Sequence, residues 1–148
     1  MTLDLTADLY EACQQISPTH LDYATLPIER GFDWSRLSGC AFDRLYLVAF
    51  RSVWQPEADL GLLREHDDRA FEEALASGGL LRYFKGNANE QGECLSFCLW
   101  ETREQARQAA DAASHRSAAS VSAQMYLSYS LERRWIRKLG EKLVFDRI

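Results

Sequence analysis

The chain has 148 residues, 47% of them hydrophobic and 26% charged, with four Trp, six Tyr, seven Phe and a net charge of −5. That balance describes one globular domain with a core of its own and excludes a disordered chain. The acidic excess argues against a nucleic-acid partner, which calls for a clustered basic face. The longest purely apolar run, Leu45–Phe50, is far too short to cross a bilayer.

Met1–Tyr10 carries Asp4 and Asp8 and no basic segment. No signal peptide is therefore expected, and the cytoplasm is the expected compartment. Leu5, Leu9, Ala12, Cys13 and Ile16 share one helical face, and Ser17-Pro18 ends that helix. An irregular stretch follows through Leu26-Pro27 and Gly31–Trp34. Its apolar residues (Tyr23, Leu26, Ile28, Phe32, Trp34) would be out of place in a solvated linker. Residues 1–42 are thus expected to form a helical arm packed on a domain of residues 43–148.

Arg44–Trp54, rich in β-branched and aromatic residues, reads as a strand. Both faces of Leu45–Phe50 are apolar, so both should be covered. Pro56 sits where a helix starts, with Glu57 and Asp59 in its first turn. The helix runs to about Ser77 and stops at Gly78-Gly79, with Leu60, Leu63, Ala70, Phe71, Ala74 and Leu75 as its apolar stripe. A second strand near Leu80–Lys85 leads into the polar loop Gly86–Gly92 and a third strand, Glu93–Glu101. Thr102 and Gln105 form a capping box for an alanine-rich helix with Ala106, Ala109, Ala110 and Ala113 on one face. A last strand is expected over Met125–Trp135, with a short addition at Leu143–Phe145. The basic run Arg133, Arg134, Arg137 and Lys138 is expected at a solvated strand end.

The order β-α-β-β-α-β, with a hairpin in the middle, is the ferredoxin-like plan of an α+β fold: an antiparallel sheet with two helices on one face. On the third strand Cys94, Ser96, Cys98 and Trp100 oppose Leu95, Phe97 and Leu99. Neither set is simply polar, so the face without helices also needs a cover. A second subunit's sheet and the N-terminal arm compete for that place.

Two stretches carry a family likeness. Phe97–Ala119 (FCLWETREQARQAADAASHRSAA) resembles the third strand and second helix of antibiotic-biosynthesis-monooxygenase-like domains: a strand ending in Trp, a polar cap, an Ala-rich helix and a His near its end. Leu45–Trp54, His66–Leu75 and Gly78–Phe84 resemble the front half of the same domain, with the nearest likeness to an uncharacterised group from bacteria and fungi. The resemblance implies a dimeric α/β barrel, in which the sheets of a homodimer pack face to face and each subunit holds a ligand pocket. It implies no single activity: members include cofactor-independent monooxygenases, haem-degrading enzymes, polyketide cyclases and muconolactone isomerases. The arm of residues 1–42 is extra to the short members.

Among residues that can carry chemistry, Asp67 falls at the centre of the apolar stripe of the first long helix. A carboxylate there is costly unless paired or protonated, and its pKa would rise. His66, a quarter-turn away, could act as a general base at a pocket mouth. His115 sits where the resembling domains carry a His. His20 lies in the arm and is expected to be structural. Arg51 and Arg82 interrupt apolar strands and could hold a carboxylate or enolate oxygen. Tyr83, Trp100 and Tyr129, with Trp54 and Tyr126, could wall a pocket for a flat organic molecule. No zinc-type spacing, phosphate loop or nucleophile elbow is present, and no metal or cofactor is expected. Cys94 and Cys98, roughly 13 Å apart along a strand, read as buried free thiols rather than ligands.

Three functions follow. The first is a cofactor-independent enzyme (monooxygenase, isomerase or cyclase) acting on a small aromatic or polyketide-like compound. The second is a non-catalytic binder of a small molecule, haem included. The third is a structural dimer.

Overall fold

The computed structural model describes residues 5–57, 60–110 and 126–148. The side chains of residues 5–7, 60, 63, 66, 67, 70, 73 and 77 lie outside that description. The arm holds α1 (Leu5–Gln14), β1 (Ser17–Pro18), α2 (Ile28–Gly31) and β2 (Phe32–Asp33), with tight turns at Tyr23–Thr25 and Ser35–Gly39. Then come β3 (Arg44–Trp54), α3 (Leu60–Ser77), β4 (Leu80–Phe84), β5 (Glu93–Trp100), α4 (Arg103–Ala110), β6 (Tyr126–Leu139) and β7 (Lys142–Arg147).

The main sheet has the order β4-β5-β3-β6-β7, and every neighbouring pair is antiparallel. The first four strands in that order, with α3 and α4 as crossovers, are the ferredoxin-like arrangement; β7 widens it by one. Strand alternation then decides which side chains meet on each face. Leu45, Leu47 and Ala49 of β3 join Leu95, Phe97 and Leu99 of β5 and Ile136 of β6 on one side. Tyr46 and Trp100 face the other side, packed with Ala74 of α3 and Ala106 and Ala109 of α4.

The arm covers the face opposite the helices. Leu9, Cys13, Ile16, Ile28, Phe32, Trp34 and Leu37 are all buried against the inner residues of β3 and β5. Phe32 meets Phe84 at 4.9 Å and Phe97 at 5.1 Å between ring centroids, both edge-on, the favoured aromatic geometry. The Trp34 indole N–H donates to the Ile28 carbonyl at 3.0 Å, which satisfies a buried donor. The sheet-on-sheet contact implied by the resemblance would need this same surface, and the arm already fills it.

Several local expectations are met at the element ends. Gly78 and Gly79, at φ 81° and 80°, end α3 in the left-handed region that favours glycine. Ahead of α4, the Gln105 N–H donates to the Thr102 hydroxyl at 3.2 Å, and that hydroxyl donates to the Gln105 side-chain carbonyl at 2.9 Å.

Others need correction. Pro56 and Glu57 lie in a turn, and the helix is described from Leu60. Leu75 is exposed, because Ala74 and Phe71 already provide the helix's inward contact with Tyr83 and its neighbours. The last strand runs to Leu139, since β7 pairs with it from Arg134 onward. The basic run is solvated only in part, because alternation along β6 divides it: Arg133 is exposed and Arg137 and Lys138 are half-buried. Arg134 is buried and pairs with Glu132 at 2.8 Å and Glu29 at 3.6 Å. Arg137 pairs with Asp146 and Lys138 donates to the Cys40 carbonyl. Arg133 points to the helix side.

Candidate binding cleft

Between the sheet and the helices lies a cleft of about 1300 Å³, at or above the upper end of ordinary small-molecule sites. Cross-strand pairing lays out its floor in rows. Val48 sits between Cys98 and Arg133, Phe50 between Ser96 and Leu131, and Ser52 between Cys94 and Tyr129. Tyr46 and Trp100 close one end, and Ala106 and Ala109 of α4 form part of the roof. Alanines keep that roof low without filling the space. At the other end Phe50, Tyr126 and Tyr129 cluster, with Phe50 centroids 5.3 Å and 5.6 Å from the two tyrosines.

The loop between β4 and β5 closes the side. Asn89 organises it: its side-chain oxygen accepts from the Gln91 N–H at 3.0 Å and the Glu93 N–H at 2.9 Å. Trp54 anchors to the loop through its backbone N–H, which donates to the Gly92 carbonyl at 2.8 Å. Gly86 must be glycine for space, since a Cβ there would lie 2.0 Å from the Leu95 carbonyl oxygen.

The electrostatics of the two sheet faces differ. On the arm face Arg51, Arg82 and Arg134 all have partners. Arg51 donates to the Ala24 and Leu26 carbonyls at 2.9 Å and 2.8 Å and pairs with Glu132 at 3.3 Å. Arg82 donates to the Ile16 carbonyl at 3.2 Å, and burial lowers its pKa. Burial would raise the Glu132 carboxyl, but hydrogen bonds and charge from Arg134 and Arg51 outweigh it and hold the group below its usual value. On the cleft side, Arg64, Lys85, Arg103, Arg107 and Arg133 line the space, and Glu90 is the one acidic side chain among the described lining residues. Cys98, in the floor, has its thiol pushed up to about 12 by burial. Cys13, on the arm face, is also pushed up to about 12, by burial first and then by Cys40.

Of the expected site residues, Tyr83, Trp100 and Tyr129 lie in the cleft lining together with Trp54 and Tyr126. Arg51 and Arg82 do not. Both share the strand parity of the arm-facing residues, so they fasten the arm instead of facing a ligand. His66 and Asp67 belong to α3, but their side chains lie outside the described residues, as does all of His115. Arg103, Arg107 and Arg133 are cleft residues that the sequence reading passed over. Their signal was a 3–4-residue spacing with Ala106 and Ala110 on α4, and the even register of Arg133 with Val48. No group of three or more potential metal ligands occurs among the described residues, and none of the described helices is long and apolar enough to cross a membrane.

Fold and cleft together define a ferredoxin-like α+β domain. Three solved structures share it. Rv0793 from Mycobacterium tuberculosis superposes with a TM-score of 0.53 at 16% identity, covering 60% of this chain and 91% of that one. A candidate antibiotic biosynthesis monooxygenase from Nitrosomonas europaea gives 0.54 at 12% identity, covering 67% and 94%. A variant of SnoaB, a cofactor-independent oxygenase from Streptomyces nogalater, gives 0.50 at 11%, covering 62% and 91%. At these identities the likeness concerns the fold. The chain itself belongs to the PB2B2.08-like family, which matches residues 2–145. Its relative UPF0643 protein PB2B2.08 from Schizosaccharomyces pombe (strain 972 / ATCC 24843) is 32% identical over 129 residues, which is 74% of this chain and 58% of that protein.

Proposed function

We propose that this domain binds a flat aromatic compound in the cleft between sheet and helices, and that it acts on that compound without a metal or organic cofactor. The carrying observation is a cleft of about 1300 Å³ walled by Tyr46, Phe50, Tyr83, Trp100, Tyr126 and Tyr129 on the face that the arm leaves free. A packed core would have filled this space with side chains. The naming of one structural neighbour as a cofactor-independent oxygenase supports oxygenation of an enol- or phenol-type compound as the reaction. In that scheme the protein's task is to hold the ionised substrate and exclude water. His66, Asp67 and His115 are the proposed proton carriers. That none of the four cysteines is in a disulfide suits a reducing compartment such as the cytoplasm.

Non-catalytic binding is the second reading. It is favoured by the cleft's described acidic side chains, which amount to Glu90 alone. Titration with 2-naphthol, followed by tryptophan fluorescence, tests the shared part of both readings. Saturable quenching that is weakened in Trp100→Ala supports it, and no saturable binding overturns it. An oxygen electrode then separates the two, using a polycyclic hydroxyaromatic with the protein at saturation. Uptake above the uncatalysed rate, lost in Asp67→Asn, supports the enzyme; a rate equal to the blank leaves the binder. A homodimer, if formed, would join outside the arm-covered face. Sedimentation of wild type and Phe32→Ala is expected to give the same mass for both.

A further inference from the structure

The cleft carries a charge preference that its aromatic walls do not explain. Among the described residues, five cationic side chains line it against one acidic side chain, Glu90, in a chain whose net charge is −5. Lys85 is drawn toward Asp68 of α3 at 3.4 Å. Arg64, Arg107 and Arg133 have no ion-pair partner among the described residues.

Arg103 stands apart. Three side-chain nitrogens among the described residues are buried without a hydrogen-bond partner: the Nε atoms of Arg82, Arg103 and Arg134. Arg82 and Arg134 each hold partners through their other nitrogens. Arg103 has no hydrogen bond or ion pair among the described residues. It stands at the first turn of α4 with its guanidinium carbon 6.0 Å from the centroid of the Tyr46 ring. An arginine held against an aromatic wall, with a desolvated N–H and no acceptor, leaves free energy to be recovered by an incoming anion. A guanidinium offers a planar fork of donors that matches a carboxylate.

We infer that the ligand of this cleft is an aromatic carboxylate, its rings against the tyrosine and tryptophan walls and its carboxylate received by Arg103, with Arg107 and Arg133 supplying the surrounding positive field. The inference rests on the aromatic-binding reading above and adds the charge of the ligand and the residue that reads it.

The test compares 2-naphthoate with 2-naphthamide, which match in ring and size but differ in charge. Affinities for the full chain come from tryptophan fluorescence and calorimetry. The carboxylate is expected to bind about tenfold more tightly or better than the amide. Arg103→Gln should bring the carboxylate down to the level of the amide while leaving the amide's affinity unchanged. Arg36→Gln, which removes an arm arginine away from the cleft, should alter neither. Equal affinities for the two compounds in wild type overturn the inference and leave aromatic binding standing. Binding of neither overturns both. If Arg103→Gln fails to fold by circular dichroism, Arg103→Lys serves, with partial retention of the carboxylate preference expected; full retention by a folded variant also overturns the role of Arg103.

Discussion

Phe32→Ala is the sharpest perturbation of the arm. Phe32 is 3% exposed, and its ring contacts Tyr23, Trp34, Phe84 and Phe97 at centroid distances of 5.4, 6.0, 4.9 and 5.1 Å. Two of these partners, Phe84 and Phe97, belong to the sheet, so the ring joins arm to domain. Burying an aromatic side chain removes on the order of 150–250 Å² from water, worth roughly 4–6 kcal/mol at 25 cal/mol per Å². Truncations of buried Phe cost about 3–5 kcal/mol, which agrees. With a urea m-value of about 2 kcal/mol/M, the unfolding midpoint should fall by roughly 1.5–2.5 M. That is a large share of a stability on the order of 5–15 kcal/mol. The transition should stay single and keep its slope, because arm and sheet share one core. Trp34 survives in this variant and reports the transition by fluorescence. Leu21→Ala, at a fully exposed arm position, should leave the midpoint unchanged. A Phe32→Ala midpoint within about 0.3 M of wild type would refute the arm's place in the cooperative core. A separate early transition of the arm would do the same.

Glu132→Gln tests the pairing beneath the arm. Glu132 is held below the ordinary value of 4.5, so its contribution is present above that value and is lost as pH falls through the lower folded pKa. Wild type should exceed the variant by roughly 1–3 kcal/mol at pH 7, with the gap closing below about pH 4.5; a pH-independent gap contradicts the assignment. Gly86→Ala should destabilise by about 1–3 kcal/mol in the same urea assay, because the new Cβ meets backbone at Leu95. Gly39→Ala, with nothing within 4 Å of its added Cβ, should be silent. With Cys13 fully buried and its thiol pushed up to about 12, that thiol should resist a thiol-exchange reagent at pH 8 in the folded protein and react once it is unfolded in urea. Rapid native labelling of Cys13, located by mass spectrometry, contradicts its burial.

How legible the molecule was in its sequence varies with the physics involved. The β3 and β5 strands announce themselves through runs such as Leu45–Phe50 and Glu93–Trp100, and the split of β5 into Leu95/Phe97/Leu99 against Ser96/Cys98/Trp100 follows from period-two alternation alone. Alternation separates two faces without saying which one receives the helices. Arg51 therefore looked like a ligand-binding arginine, although it shares the parity of Leu47 and Ala49. Only the arm's docking, with the Ala24 and Leu26 carbonyls over that face, reveals its structural role. Arg103 and Arg107 lie on α4 beside the alanines that make the low roof, and their place at the cleft shows only once Ala106 and Ala109 are seen against the sheet. Arg133 and Arg134 are adjacent in a basic run, and one strand places them on opposite sides of the sheet. Tyr83 and Trp100 share the strand parity of Cys98, which puts both on the cleft side.

The four tryptophans allow one direct measurement of the central claim. Trp54 and Trp100 line the cleft, whereas Trp34 is sealed under the arm with its indole N–H bonded to Ile28. In an 15N-labelled sample titrated with 2-naphthoate, the indole N–H signals of Trp54 and Trp100 should move saturably with a common affinity, and that of Trp34 should stay in place. A Trp34 signal that moves while Trp100 stays fixed would put the ligand on the arm face and contradict the account.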